Sequence, residues 1–213
     1  MTPSWDDLAS SERWRGVVAF IRNWVGPLDH SDGFTSETLD EARQAEPVRL
    51  PAAVREWCRL AGNWDQRGLK VWVRPGDLTP EGGVVWVLTD PQGITAWGVR
   101  AGDLGADDPP VVSREAGPGE PAFTTFSGFV GAMVVNDVLF GDPADPPAEL
   151  SPGLPRGGLT CLAASRVGDY FADGPLGSAE VVVFAYPGDG PVLGKARTAG
   201  GRALLQRLRL PPG

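Results

Sequence analysis

Apolar positions along this chain follow two rhythms, one of three to four residues and one of two. The first runs through Trp14, Val17, Val18, Ile21, Trp24 and Val25, the stripe of an amphipathic helix. Ser10 or Ser11 is placed to cap that helix and Gly26-Pro27 to end it. The rhythm returns in LPAAVREWCRLAG, Leu50 to Gly62, where Val54, Trp57, Cys58 and Ala61 share a face. Pro51 suits the first helical position there, and Gly62 a left-handed carboxyl cap. A third helix is predicted after Thr124 or Thr125, through Phe126, Phe129, Val130, Met133, Val134 and Val138. Two shorter ones are expected, from Ser36 to about Ala45 with Ser36 as cap, and over about Gly201–Leu210.

The two-residue rhythm is clearest in VVWVLTDPQGITAWGVR, Val84 to Arg100. Val84–Leu88 is an unbroken apolar run suited to a strand covered on both faces. Asp90-Pro91-Gln92-Gly93 carries the residues of a type I turn. Beyond it Thr95, Trp97 and Val99 alternate with Ile94, Ala96 and Gly98, a second strand and hence a hairpin. Further strands are predicted at Leu69–Arg74, at Pro109–Val112 as a short edge, at Leu159–Ala164 and at Ala179–Tyr186.

This order of elements predicts an α+β fold, a mostly antiparallel sheet flanked by helices, with a C-terminal β-β-α extension. The division expected is a domain over 1–141 that includes the N-terminal helices, a Pro-rich linker over 142–155, and an extension over 156–213. Two strands and a helix make a marginal independent domain, so the extension is expected to pack on the same sheet.

Composition narrows the function classes. The chain has 213 residues, 19 Lys and Arg against 27 Asp and Glu, and a formal net charge of −8. Nucleic-acid binding through phosphate neutralisation needs a basic face, and this balance speaks against it. It favours a basic partner, or simply solubility. The segment Ala101–Pro121 concentrates acid: Asp103, Asp107, Asp108, Glu115 and Glu120 against the single Arg114. There is no signal-peptide pattern at the amino terminus and no apolar run of membrane-spanning length, so the expected location is the cytoplasm.

Chemistry-bearing patterns are few. The one histidine, His30, cannot build a His-based metal site, and Cys58 and Cys161 lack zinc spacing. Both cysteines fall in apolar patterns and read as small buried hydrophobes; spacing alone leaves a disulfide between them open. Gly194-Lys195 lacks the glycine and the hydroxyl residue of a phosphate-binding loop. Cys58 and His30 are formally available as a nucleophilic pair, though Cys58 lies on the apolar face of its helix. No catalytic residue, cofactor or metal is therefore expected. Trp72, opposite Leu69, Val71 and Val73, is a candidate apolar anchor at an interface.

Taken in order, LPAAVREWCRLAG, LKVWVR, VVWVLTDPQGITAWGV, DDPPVV and TTFSGFVGAMVV resemble the SUKH superfamily, which includes the fungal Smi/Knr regulators and many bacterial immunity proteins. The resemblance covers about 90 of the 213 residues. It departs from the family's usual pattern in having Ala61-Gly62-Asn63 where Asn-Gly follows the helix. The resemblance implies an α+β fold, no catalytic residues, and a role in binding protein partners. In bacteria that role is typically neutralising a polymorphic toxin, often a basic nuclease, for which an acidic surface would be the complement. On this reading Asp103, Asp107, Asp108 and Glu115, with Trp72, are the residues expected to meet the partner. Two alternatives stay open: a regulatory or scaffolding adaptor with a host partner, and an enzyme not recognised from its motifs.

Overall fold

The computed structural model describes residues 3–45, 49–64, 71–90, 92–115, 121–150, 159–165 and 168–209. Among these, the helices are α1 Trp5–Ser10, α2 Arg15–Trp24, α3 Ser36–Ala45, α4 Ala52–Ala61, α5 Phe126–Phe140 and α6 Ala199–Arg209. The strands are β1 Val71–Trp72, β2 Pro80–Glu81, β3 Val84–Thr89, β4 Ala96–Arg100, β5 Val112–Ser113, β6 Ala148–Leu150, β7 Thr160–Ser165, β8 Gly168–Ala172, β9 Val181–Ala185 and β10 Val192–Ala196. They form two sheets whose pairings are all antiparallel. The fold is thus of the α+β class, as the patterning predicts. No helix among the described residues is long and apolar enough to cross a membrane.

The chain separates into two compact units that interleave in sequence, Met1–Trp14 with Leu28–Phe129, and Arg15–Pro27 with Val130–Gly213. This differs from the linear division at 141 and 156. The predicted linker contains β6, which pairs with β10. The C-terminal strands do not join the hairpin sheet. With β6 they form a sheet of their own, because two strands that lacked a strong apolar signal, β8 and β10, complete it.

The first unit is organised on β3 and β4. The sheet order is β1-β3-β4-β5, and β2 lies on the same side of β3 as β1, farther along it. A bulge between Trp86 and Leu88 inserts Val87 into the hairpin. Trp86 then pairs with Gly98, while Leu88 pairs with Trp97 on the opposite face. That second face meets the first turn of α5, where the Trp97 and Phe129 rings are 6.1 Å apart. Trp14 and Trp57, at 5.4 Å, extend the same aromatic core. The Asp90–Gly93 turn is closed by the Gly93 N–H on the Asp90 carbonyl at 3.0 Å, while Pro91 lies outside the described residues.

Two local expectations are corrected. Gly62 is right-handed, at φ −65°. It is glycine for space, since a Cβ there would lie 2.6 Å from the Cys58 carbonyl oxygen and 2.7 Å from the Phe34 ring. The first predicted helix is α2, which starts at Arg15, and a separate α1 precedes it. Ser4 and Asp7 form a capping box that starts α1, and Ser11 ends that helix instead of starting the next.

In the second unit the sheet order is β6-β10-β9-β8-β7. Leu150, Phe171, Val181, Val183 and Val192 pack against Leu205 of α6. On the other face Phe184 stacks with Tyr170 at 4.8 Å and meets Phe140 of α5 edge-on at 6.1 Å. Helix α2 is tied to the segment before β9: Asn23 Nδ2 donates to the Gly177 carbonyl at 3.0 Å and Trp24 Nε1 to that of Ala179 at 2.9 Å. Gly16 and Gly177 allow that approach, a Cβ on Gly177 being 3.3 Å from the Gly16 Cα.

Candidate protein-binding surface

The five residues singled out from sequence fall into separate places, all in the first unit. Trp72 is not an exposed anchor. Its half-buried ring packs on Trp57 at 5.6 Å and on Phe126 and Phe129, each at 6.2 Å. The alternation in LKVWVR put it opposite an apolar face. The side of β1 it occupies is, however, the one covered by α4 and α5, so it completes the aromatic core.

Asp108 is a fastening point. Its carboxylate accepts the Ser127 N–H at 2.9 Å and the Ser127 hydroxyl at 2.5 Å, satisfying a free donor in the first turn of α5. Thr125 caps the same end through its hydroxyl, which accepts from Gly128 at 3.1 Å. The Arg13 guanidinium stands 3.9 Å from Asp108 and 2.6 Å from Glu56. Glu56 in turn accepts the indole N–H of the buried Trp14 at 2.8 Å. Asp107 contributes its backbone: its carbonyl accepts from Ala53 at 2.9 Å, closing a free donor at the start of α4. Its side chain stays exposed. Asp103 ends the short turn Ala101–Asp103 and is half-buried. The loop from Ala101 to Pro110 therefore pins the starts of two core helices and leaves Asp107 and part of Asp103 to solvent.

Glu115 lies elsewhere, against the hairpin tip. Its carboxylate accepts the Thr95 hydroxyl at 2.5 Å. Next to it, Arg114 donates to the Gly93 carbonyl at 3.0 Å, reaches Glu81 at 3.2 Å, and lies over the Trp86 ring at 4.9 Å. Asp90 closes the tip from the other end, accepting the backbone N–H groups of Gln92 at 2.8 Å, Ile94 at 3.1 Å and Thr95 at 2.5 Å. The Thr95 N–H foremost holds the Asp90 carboxyl below its ordinary range, against desolvation, with the Ile94 and Gln92 donors adding to it. What remains at the surface is a fixed turn bearing Glu81, Asp90, Glu115 and Arg114.

No family model matches the chain, and no curated protein or solved structure matches it.

Other chemistry read from sequence finds little support in the geometry. Cys58 is buried, and burial alone pushes its thiol up to about 12, so no thiolate is present at neutral pH. His30 is exposed. Cys161, expected in a core, is exposed on β7, and no disulfide joins it to Cys58. Lys195 pairs with Asp145 at 2.9 Å. Among the described residues no group of three or more His, Cys, Asp or Glu side chains is arranged to hold a metal ion.

Sequence reasoning missed Ile94, Glu81 and Asp90 at the tip. The available signal was an isoleucine directly after a turn glycine, where polar residues usually stand.

Proposed function

We propose that this protein is a protein-binding module that acts in the cytoplasm. Our specific reading is an immunity protein of the SUKH type, which neutralises a basic, nuclease-type toxin by covering it. The observation that carries this reading is the partition of charge. The first unit holds 10 Lys and Arg against 19 Asp and Glu, and the second 9 against 8. The whole excess of acid thus belongs to the unit that contains all of the resembling segments but the end of the last. A surface of that sign raises the encounter rate with a basic partner and repels acidic ones. The buried, protonated Cys58 thiol is in keeping with a role other than thiolate catalysis.

The test is direct. A candidate toxin domain, taken from a gene beside this one if the neighbourhood holds such a gene, is expressed as an inactivated variant, and its binding to this protein is followed by calorimetry and by protection of cells from the active form. Tight binding with protection is the expected result. Association should slow with added salt, and the triple change Asp103→Lys, Asp107→Lys and Glu115→Lys should slow it further and flatten its salt dependence. Absence of binding and protection would overturn the toxin reading, and recovery of a host regulator from the native cell would move the protein to the adaptor class.

A further inference from the structure

Among the described residues of the first unit, one large aliphatic side chain stands out to solvent. Ile94, at the hairpin tip, is 71% exposed. A single exposed isoleucine on a loose loop needs no explanation, but this loop is not loose. The Ile94 N–H is bound to the Asp90 carboxylate at 3.1 Å. The residue before it is held through its carbonyl by Arg114 at 3.0 Å. The residue after it is held through its N–H by Asp90 and through its hydroxyl by Glu115, both at 2.5 Å. Arg114 is itself steadied on the Trp86 ring and by Glu81. Gly93, at φ +69°, supplies the left-handed residue that turns Ile94 outward.

We propose that Ile94 is the anchor of a protein interface, and that its occupant is a partner protein with an apolar socket rimmed by lysine and arginine. This rests on the protein-binding reading above and names the place where binding is centred. An anchor already fixed in its bound position avoids much of the ordering cost of association. An apolar centre ringed by polar groups is the arrangement in which a few residues carry most of the binding energy. The sign of the rim selects the partner. Among the described residues at the tip, Glu81, Asp90 and Glu115 stand against Arg114, whose charge is engaged by Glu81 at 3.2 Å. A second copy of this chain would bring acid against acid, which disfavours it as the occupant.

The experiment uses the full chain and the same inactivated candidate toxin domain, with affinities from calorimetry and rates from surface-based kinetics. Ile94→Ser should lose at least about 30-fold in affinity, mostly through faster dissociation. Ile94→Leu should retain most of it. Glu81→Gln with Glu115→Gln should slow association and reduce its dependence on salt. Because Ile94 is exposed, the serine variant should keep the wild-type thermal midpoint, and Ala203→Ser on α6 serves as a surface control. Full-strength binding by Ile94→Ser overturns this proposal and leaves the toxin reading standing. Failure of the wild type to bind overturns both. A wild-type homodimer in sedimentation that Ile94→Ser abolishes would assign the tip to self-association and overturn the proposed occupant.

Discussion

Glu56 and Gly33 show how single residues fix the first unit. The Glu56 carboxylate serves Arg13 and the indole N–H of Trp14, and Trp14 is fully buried. Glu56→Ala takes the acceptor away from that buried N–H, a loss of about 1–3 kcal/mol. Glu56→Gln keeps an acceptor oxygen and should lose less. Chemical denaturation of the two variants separates them, and equal losses would mean the indole bond contributes little. Gly33 is set by contact. A Cβ there would lie 1.6 Å from the Arg59 carbonyl oxygen, while Phe34 and Asn63 bond backbone groups on either side of that contact. Gly33→Ala must push the turn off α4, and a destabilisation of at least about 1–3 kcal/mol is expected from the same measurement. Neither role shows in the sequence: Glu56 reads as one more helix acid and Gly33 as one more turn glycine.

At the level of elements, periodicity was informative wherever burial follows it. The α4 face, the hairpin strands, the start of α5 and the closing α6 all follow from apolar spacing, because a two-sided or one-sided environment selects residues at the pitch of the element. What spacing could not give were features decided between elements. For Trp72, period two says which side of the strand the residue occupies, not what lies on that side. Asp108 reads as loop acid and is a staple for α5 only because the fold brings Ser127 to it. The missed strands β8 and β10 contain glycine and charge, and were selected by their neighbours in the sheet. The hairpin tip makes a prediction at this scale. The Asp90 carboxylate binds three N–H groups in its charged form, and its pKa is lowered from the ordinary 3.8. A depressed folded-state value adds stability at every pH above the ordinary one, and that contribution is lost as pH falls through the lowered value. The tip should therefore keep its form down to pH values below about 4. The Thr95 amide resonance, followed against pH, should show its inflection below 3.8, and an inflection at or above that value would mean the three donors are not held. Asp90→Asn should remove the Asp90 inflection from this resonance and raise its exchange with solvent.

For the whole molecule, interleaving is the consequence of where the apolar surfaces find partners. α2 lies near the amino terminus, yet its indole and amide donors go to Gly177 and Ala179, and its glycine faces Gly177. The Phe184 ring is covered by Phe140, which precedes the Pro-rich segment. The second unit is accordingly built from residues 15–27 together with 130–213, and no cut at the compositional linker yields it whole. A fragment of residues 142–213 retains the five strands and α6, but it leaves Tyr170 and Phe184 without α5 and the Gly177–Ala179 segment without α2. Burying a residue of that size is worth roughly 1.5–3 kcal/mol, and a sheet with one bare apolar face does not recover it elsewhere. The fragment should give collapsed amide dispersion in a two-dimensional NMR spectrum and aggregate on concentration, whereas the full chain gives dispersed signals. Supplying residues 15–27 and 130–141 on the same chain, joined by a short Gly/Ser linker, should restore dispersion, with the upfield-shifted methyl signals of a packed aromatic core. A well-dispersed spectrum from residues 142–213 alone would show instead that the second sheet is self-sufficient and that α2 and α5 are dispensable to it.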